Sequence, residues 1–324
     1  MPIALQASGP ARSGRAVVFA CDAGYAPYAL MAAEQIARLH PERDFDICLC
    51  SDQPLTVPAS LVHLGIRLCR VTTDRAFAGL RLDPGRTEVV YLRLALPAAL
   101  AGDYARLLYY DADICVQRGD FAGLLGVDLR GHVIGAVRDN TQWRSPGRRP
   151  EQFRRLGLKA APYFNAGMLL IDVDAWNATG LMQACIDFGR THRDRMIRHD
   201  QNLLNGTLQG DWAELAPAWN WQYTRSTMLF EAMEDANVVH FINPKKPWNH
   251  VGGQLPPRFR AACRAFVAAH FPEAPQIGPD RHRMHQNRAY MRSVLGRHLI
   301  AVGPFCDYLD RFDTDLTVLP GRAR

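Results

Sequence analysis

The sequence predicts an α/β protein with a mainly parallel sheet, and three observations predict it. Short, almost wholly apolar runs recur, as expected of strands buried on both faces. Helical patterns separate them, the mark of parallel βαβ units. Near Pro256-Pro257 the composition then turns to arginine-rich helical patterns without strand alternation. In order, AVVFAC (16–21) is the first buried strand. After a Gly-containing turn, PYALMAAEQIARLH (27–40) sets Leu30, Ala33, Ile36 and Ala37 at helical spacing, with Pro27 suited to a first turn. FDICLC (45–50) and IRLCRV (66–71) are the next strands, and residues 88–100 read as a helix. The run LLYYDADICV (107–116) reads as one strand, followed by VIGAV (133–137) and GMLLIDV (167–173). A helix carrying Met182, Cys185, Ile186 and Phe188 comes next. These spans divide the chain into an α/β nucleotide-binding domain over 1–255 and a smaller basic, mainly helical appendage over 256–324.

At 324 residues, with 48% hydrophobic and 22% charged residues, the chain suits one large or two ordinary globular domains. A net charge of +6 favours phosphate-bearing partners without choosing among them. The core lacks the interleaved aromatic and basic residues of a nucleic-acid binder, so no nucleic-acid partner is expected. Eight cysteines form no C-x-x-C pair, which argues against a zinc framework, and most sit in apolar runs as free thiols of a reducing compartment. The N-terminal stretch has no signal-peptide core, and no apolar run approaches 18 residues. The expected location is the cytoplasm, where the sequon Asn177-Ala178-Thr179 would go unused.

Several short segments carry polar groups into these apolar surroundings. Asp111 and Asp113 interrupt LLYYDADICV, and in an extended chain their side chains point the same way. Each then raises the other's cost of ionising, a repulsion that a hard divalent cation offsets. The plainer alternative is a strand-end turn with solvated acids. In FNAGMLLIDV (164–173), Asn165-Ala166-Gly167 precedes a strongly apolar strand; Gly167 permits close backbone approach, and Asn165 offers a donor and an acceptor. An ordinary loop would look the same. In HDQNLLNG (199–206), Asp200 is either a helix N-cap or, with Gln201, a group aimed at a reacting carbon. In VVHFINPKKPWN (238–249), His240 closes a strand as a third metal ligand or as a satisfied core histidine, and Lys246 meets a phosphate or water. Trp219, Trp221 and Trp248 are core residues or a sugar-stacking surface. In YLRLALP (91–97), Arg93 either snorkels or is paired inside the site.

Taken in order, AxDxxY (Ala20, Asp22, Tyr25), YLRL, LLYYDAD, FNAG, HDQ and HF followed by KPW resemble the motifs of the family 8 retaining glycosyltransferases. That group includes bacterial lipopolysaccharide galactosyl- and glucosyltransferases and glycogenin. The resemblance runs from about residue 16 to 250. It implies a GT-A-type nucleotide-sugar-binding fold, a UDP-sugar donor and manganese, with magnesium as the alternative ion. By position it makes Asp111, Asp113 and His240 the metal ligands. Ala20, Asp22 and Tyr25 match the uridine-binding turn, and Arg93 and Lys246 match diphosphate-side residues. Asp139, Asn165, Ala166 and Gly167 match donor-sugar contacts, with Ala112 between the two metal aspartates. Asp200 and Gln201 match the catalytic pair beside the anomeric carbon.

The implied reaction moves galactose or glucose to a saccharide or lipid-linked saccharide acceptor in lipopolysaccharide or other surface-glycan synthesis. A self-glucosylating initiator like glycogenin and a non-catalytic nucleotide-sugar binder are the alternatives. Bacterial members often carry Asn-Tyr where this chain has Gly24-Tyr25, and some have Cys-Gly where it has Ile242-Asn243; both departures bear on donor identity. Between 281 and 299, arginines interleave with Met284, Tyr290, Met291 and Leu295. That stretch suits either an anionic membrane face or a helical cap with solvated arginines.

Overall fold

The computed structural model describes all residues except 1–2, 85–86, 198, 251, 280 and 322–324. The chain begins with β1 (Ala4–Ala7), β2 (Arg15–Ala20), α1 (Ala26–Leu39), β3 (Asp46–Ser51) and β4 (Arg67–Thr72). Helix α2 (Val89–Ala99) leads to β5 (Arg106–Tyr110), β6 (Ile114–Val116), α3 (Phe121–Gly126) and β7 (Ile134–Arg138). Next come α4 (Glu151–Leu156), β8 (Phe164–Asp172), α5 (Val173–Ala178), α6 (Leu181–Thr191) and α7 (Asp200–Leu208). The remainder is β9 (Ala213–Leu215), β10 (Trp221–Gln222), α8 (Met228–Met233), β11 (Val238–His240), α9 (Pro257–His270), α10 (Arg288–Leu309) and β12 (Val318–Leu319).

Among the described residues, nine strands form one mixed sheet in the order β1-β4-β3-β2-β5-β8-β7-β9-β12, and β10-β11-β6 form a second, small one. Strands β4, β3, β2 and β5 are mutually parallel. The α/β class predicted from the apolar runs is the class observed. The reason lies in strand alternation. Val17 and Phe19 of β2 pack in one core with Leu30, Ala33 and Ile36 of α1, whereas Ala16 and Val18 face the other with Leu92, Ala95 and Leu96 of α2. Because both faces of the sheet are covered, these strands read as unbroken apolar runs.

Two expectations need correction. LLYYDADICV is not one strand, because β5 belongs to the large sheet and β6 to the small one, and Asp111-Ala112-Asp113 is the joint between them. The FNAG segment is not a loop before a strand but the first part of β8 itself. There the pairing with β7 slips, since Ala136 faces Leu169 while its neighbour Val137 faces Asn165. The unmatched residues between them bow toward β5, where the Asp111 amide donates to the Gly167 carbonyl (2.9 Å). Joint and bulge therefore meet at one point.

Beyond residue 255, α9 packs on α1, and β12 pairs antiparallel with β9 at the edge of the large sheet. The helix expected within 281–299 begins at Arg288. It buries Val294, Ala301, Phe305 and Tyr308 against the core and leaves Leu295, Leu299 and Ile300 exposed. No helix among the described residues is long and apolar enough to cross a membrane.

Candidate active site

Backbone pairing assembles the site from distant segments. Strand β11 runs antiparallel to β6 with His240 opposite Ile114, and the Phe241 amide donates to the Asp113 carbonyl (3.0 Å). His240 therefore lies beside the joint that carries both aspartates. One ligand atom from each of Asp111, Asp113 and His240 falls within a 4.8 Å cluster. His240 Nε2 is 3.1 Å from Asp113 Oδ1 and 3.8 Å from Asp111 Oδ2. Expecting the two carboxylates to share one side is correct, although they do so at a joint between sheets rather than along a strand.

The surrounding hydrogen bonds place a proton on Nδ1 of the histidine. The Gly167 amide donates to Asn165 Oδ1 (3.0 Å), so the Asn220 atom facing that oxygen must be Nδ2 (3.0 Å). Asn220 Oδ1 then faces His240 Nδ1 (2.9 Å), which must donate to it. In the neutral ring this leaves the Nε2 lone pair facing Asp113 Oδ1, a buried oxygen without a hydrogen bond. Two lone pairs aimed at one another in a buried place are relieved by a shared cation, and a histidine held through its other nitrogen is the usual metal-binding arrangement. The donor set of two carboxylates and one imidazole suits manganese or magnesium. The residues present fit such an ion.

Cationic side chains brace the carboxylates. Arg93 places Nη2 2.8 Å from Asp111 Oδ1 and Nε 3.0 Å from Asp200 Oδ2, and donates from Nη1 to the Ala166 carbonyl (2.6 Å). It is paired inside the site and does not snorkel. The Tyr109 hydroxyl donates to the same Asp111 oxygen (2.7 Å). Lys246 donates to Asp113 Oδ2 (2.6 Å) and to the Phe241 carbonyl. Burial alone would raise the Asp113 carboxyl, but the cationic form of His240, and then Lys246, hold it well below the usual carboxylate range. Burial pushes the Asp200 carboxyl up, and the charge of Arg93 only partly offsets this. Asp200 is the first residue of α7 rather than its cap, a position that His199 takes.

A hydrogen-bonded chain joins the metal cluster to the far wall. From His240 it runs through Asn220 and Asn165 to Gln201 Oε1 (3.3 Å), and from Gln201 Nε2 to Asp139 Oδ2 (3.2 Å). Most of these side chains line one cavity of about 850 Å³, with Tyr109, Asp139 and Asn220 behind its walls. Its walls include Ala20, Asp22, Tyr25, Arg93, Asp111, Ala112, Asp113, Asn165, Ala166, Gly167, Asp200, Gln201, His240 and Lys246. Asp139 is absent from the lining; it is buried behind Gln201 and reaches the cavity only through that amide.

Asp22 Oδ1 accepts the Tyr25 amide (3.0 Å), which shapes the turn after β2. Trp248 stacks on Tyr28 (ring centroids 3.7 Å apart) and meets Tyr25 edge-on (6.0 Å), fastening the KPW segment to that turn. Trp219 and Trp221 are core residues. Sequence reasoning missed Tyr109 and Asn220, and it missed His199 and Asp83 on the cavity wall (3.5 Å apart). Asn220 lies between two tryptophans in WNW, and a lone amide inside an aromatic run was the available signal.

Comparisons with known proteins point to one family. The family described as glycosyl transferase family 8 matches residues 16–252. General stress protein A of Bacillus subtilis (strain 168) is 30% identical over 179 residues, covering 50% of this chain and 60% of that protein. The lipopolysaccharide 1,3-galactosyltransferase of Salmonella typhimurium is 27% identical over 173 residues, covering 51% of each. The chain thus spans only about half to three fifths of the length of these relatives. Among solved structures, the galactosyltransferase LgtC in complex with donor and acceptor sugar analogues superposes with a TM-score of 0.61 at 21% identity, over 85% of this chain and 99% of that one. The bifunctional glycosyltransferase WbbM gives a TM-score of 0.61 at 19% identity, over 81% of this chain and 50% of that one. At these identities the structural likeness speaks for the fold, which is the GT-A type expected.

Proposed function

The chain belongs to glycosyl transferase family 8, and from that premise we propose that it is a metal-dependent retaining hexosyltransferase. It moves galactose or glucose from a UDP-sugar to a saccharide acceptor, free or lipid-linked, in the synthesis of lipopolysaccharide or another surface glycan. The observation that carries this reading is that two groups of side chains line one cavity and are joined through Arg93. The first is Asp111, Asp113 and His240 with Lys246, and the second is Asp200 and Gln201.

Asp111, Asp113 and His240 would hold manganese or magnesium, which when bound acts as a Lewis acid toward a diphosphate. Lys246 is within reach of the same phosphate oxygens and offers them a hydrogen-bonded positive charge. Ala20, Asp22 and Tyr25 seat the nucleoside at the turn after β2. Asn165, the Ala166–Gly167 backbone and Asp139, through Gln201, orient the hexose. As the bond between the sugar carbon and the UDP oxygen breaks, its electron pair leaves with UDP, and positive charge grows on the carbon. Gln201 and Asp200 flank that centre, with Arg93 fixing the Asp200 carboxylate. The acceptor oxygen forms the new bond on the face UDP has left, and its proton is lost to an oxygen of the departing phosphate.

A panel of UDP-sugars tests the reading. We expect manganese-dependent UDP release from one hexose donor, UDP-galactose or UDP-glucose. Absence of both release and UDP binding by calorimetry would overturn it.

The working site is cytoplasmic on this reading, with peripheral attachment to anionic membrane through α10. Arg288, Arg292, Leu295 and Leu299 fall on one exposed stripe of that helix, pairing cations with apolar side chains. Co-sedimentation with vesicles rich in anionic lipid is expected to be lost in a Leu295→Ser, Leu299→Ser double variant. Binding unchanged by those substitutions would remove the membrane role.

A further inference from the structure

The segment after β11 divides two cavities. Its successive lysines point to opposite sides, Lys246 to Asp113 in the donor cavity and Lys245 to Gln254 in the other. Asn243 and Pro244 line both cavities, so the second shares a wall with the first. The second cavity has a volume of about 480 Å³ and lies between this segment, residues 223–228 and α10. Its floor includes the buried rings of Tyr223 and Phe241, and its rim carries the exposed side chains of Arg225, Lys245 and Arg297. Among the described residues, no aspartate or glutamate lines it, and none forms an ion pair with these three cations. Arg225 contacts only the Ser293 hydroxyl by hydrogen bond (3.4 Å).

Three unneutralised cations around an aromatic floor make a site of mixed chemistry. The half-buried ring of Tyr290, which also lines the cavity, suits the C–H face of a pyranose, and the rim suits a phosphoryl group with two negative charges. The volume exceeds what a phosphate ion needs and accommodates a sugar bearing one. We propose that this cavity binds a phosphorylated saccharide, the acceptor or the part of it next to the reacting hydroxyl. The inference rests on the donor reading for the acceptor's role and on the cavity itself for the ligand class.

The test is calorimetric titration with a set of hexose 6-phosphates (glucose, galactose and mannose), with the unphosphorylated hexoses and with inorganic phosphate. It uses the wild-type chain, an Arg225→Gln, Lys245→Gln, Arg297→Gln triple variant and a Lys246→Gln variant. At least one hexose phosphate is expected to bind wild type ten or more times more tightly than its unphosphorylated hexose or inorganic phosphate. The triple variant should lose that binding at least tenfold, while Lys246→Gln keeps it. No binding to wild type, equal binding by wild type and the triple variant, loss in Lys246→Gln alone, or inorganic phosphate binding as tightly as the sugar phosphate would each overturn the proposal. UDP is titrated into the same samples. UDP binding that survives in the triple variant while hexose phosphates fail on wild type overturns this inference alone; UDP failing on wild type overturns the donor reading instead.

Discussion

Arg93 shares one guanidinium between Asp111 and Asp200, with Nη2 2.8 Å from the first and Nε 3.0 Å from the second. A carboxylate of the candidate metal cluster and the carboxylate proposed to flank the reacting carbon are thereby held by a single planar group. A lysine carries the same charge but cannot present two donors in that fixed fork. Arg93→Lys is expected to lower kcat by about 10²-fold with a smaller change in KM for the donor, since it loosens positioning rather than binding. Arg93→Met leaves two partly buried carboxylates unpaired and should cost about 3 kcal/mol in urea unfolding. Wild-type kcat in Arg93→Lys would remove the positioning role.

Gly167 is required by space. A Cβ there would lie 2.1 Å from His240 Cε1 and 2.9 Å from Asp111 Oδ2. Gly167→Ala should therefore displace two of the three candidate ligands at once. Manganese titration by calorimetry is expected to show at least a 100-fold loss of affinity in a protein that still unfolds cooperatively. Affinity equal to wild type would mean that the ion, if bound, sits elsewhere.

Asn220 touches no ligand position yet sets the tautomer of His240 through Nδ1 (2.9 Å). Groups in that supporting role typically change metal affinity by about 10–100-fold when removed. Asn220→Ala should do so, and Asn220→Asp, which still accepts from Nδ1 but gives up the donor to Asn165 Oδ1, should restore part of the affinity. Equal loss in both variants would point to a packing defect instead.

These residues also mark how far the sequence could be read. Apolar runs located β2 and β3, which are buried on both faces, alternation located β4, and helical spacing located α1 and α2, because each is a local pattern. Asp111, Asp113 and His240 could be named as a candidate metal set only because the order of all the motifs together resembles that of a known family. The joint between β5 and β6 was not legible, since side-chain alternation assumes that a strand continues. Nor was the β8 bulge, which exists only in the slipped pairing of β7 with β8. Asn220 and Tyr109 act on neighbours that only pairing between strands brings close. The edge strand β1 has no fully buried residue and so left no apolar run to find.

Away from the site, Glu214 accepts from Arg138 at Oε1 (2.6 Å) and at Oε2, and pairs with Arg311 (3.0 Å). Burial works against its ionisation, but Arg138 and then Arg311 hold its carboxyl below the ordinary value of 4.5. The unfolded chain therefore binds more protons than the folded one in that window, and stability rises with pH through it. Glu214 contributes fully above pH 4.5, and its contribution fades as the pH falls through the lower folded-state pKa. Glu214→Gln should cost about 3 kcal/mol at neutral pH, with the gap to wild type narrowing below that window. A gap that stays constant from neutral to acid pH would contradict this.

The central claim is that Asp111, Asp113 and His240 serve a metal-dependent departure of UDP from a donor sugar. It is tested most directly by measuring UDP release from UDP-galactose and UDP-glucose with wild type and Asp113→Asn, each with manganese and with chelator. Asp113→Asn keeps the shape of the side chain and removes its charge. The account predicts release by wild type with manganese alone, and none above background from the folded variant in either condition. Release that survives the chelator in wild type, or manganese-stimulated release by Asp113→Asn, would contradict it.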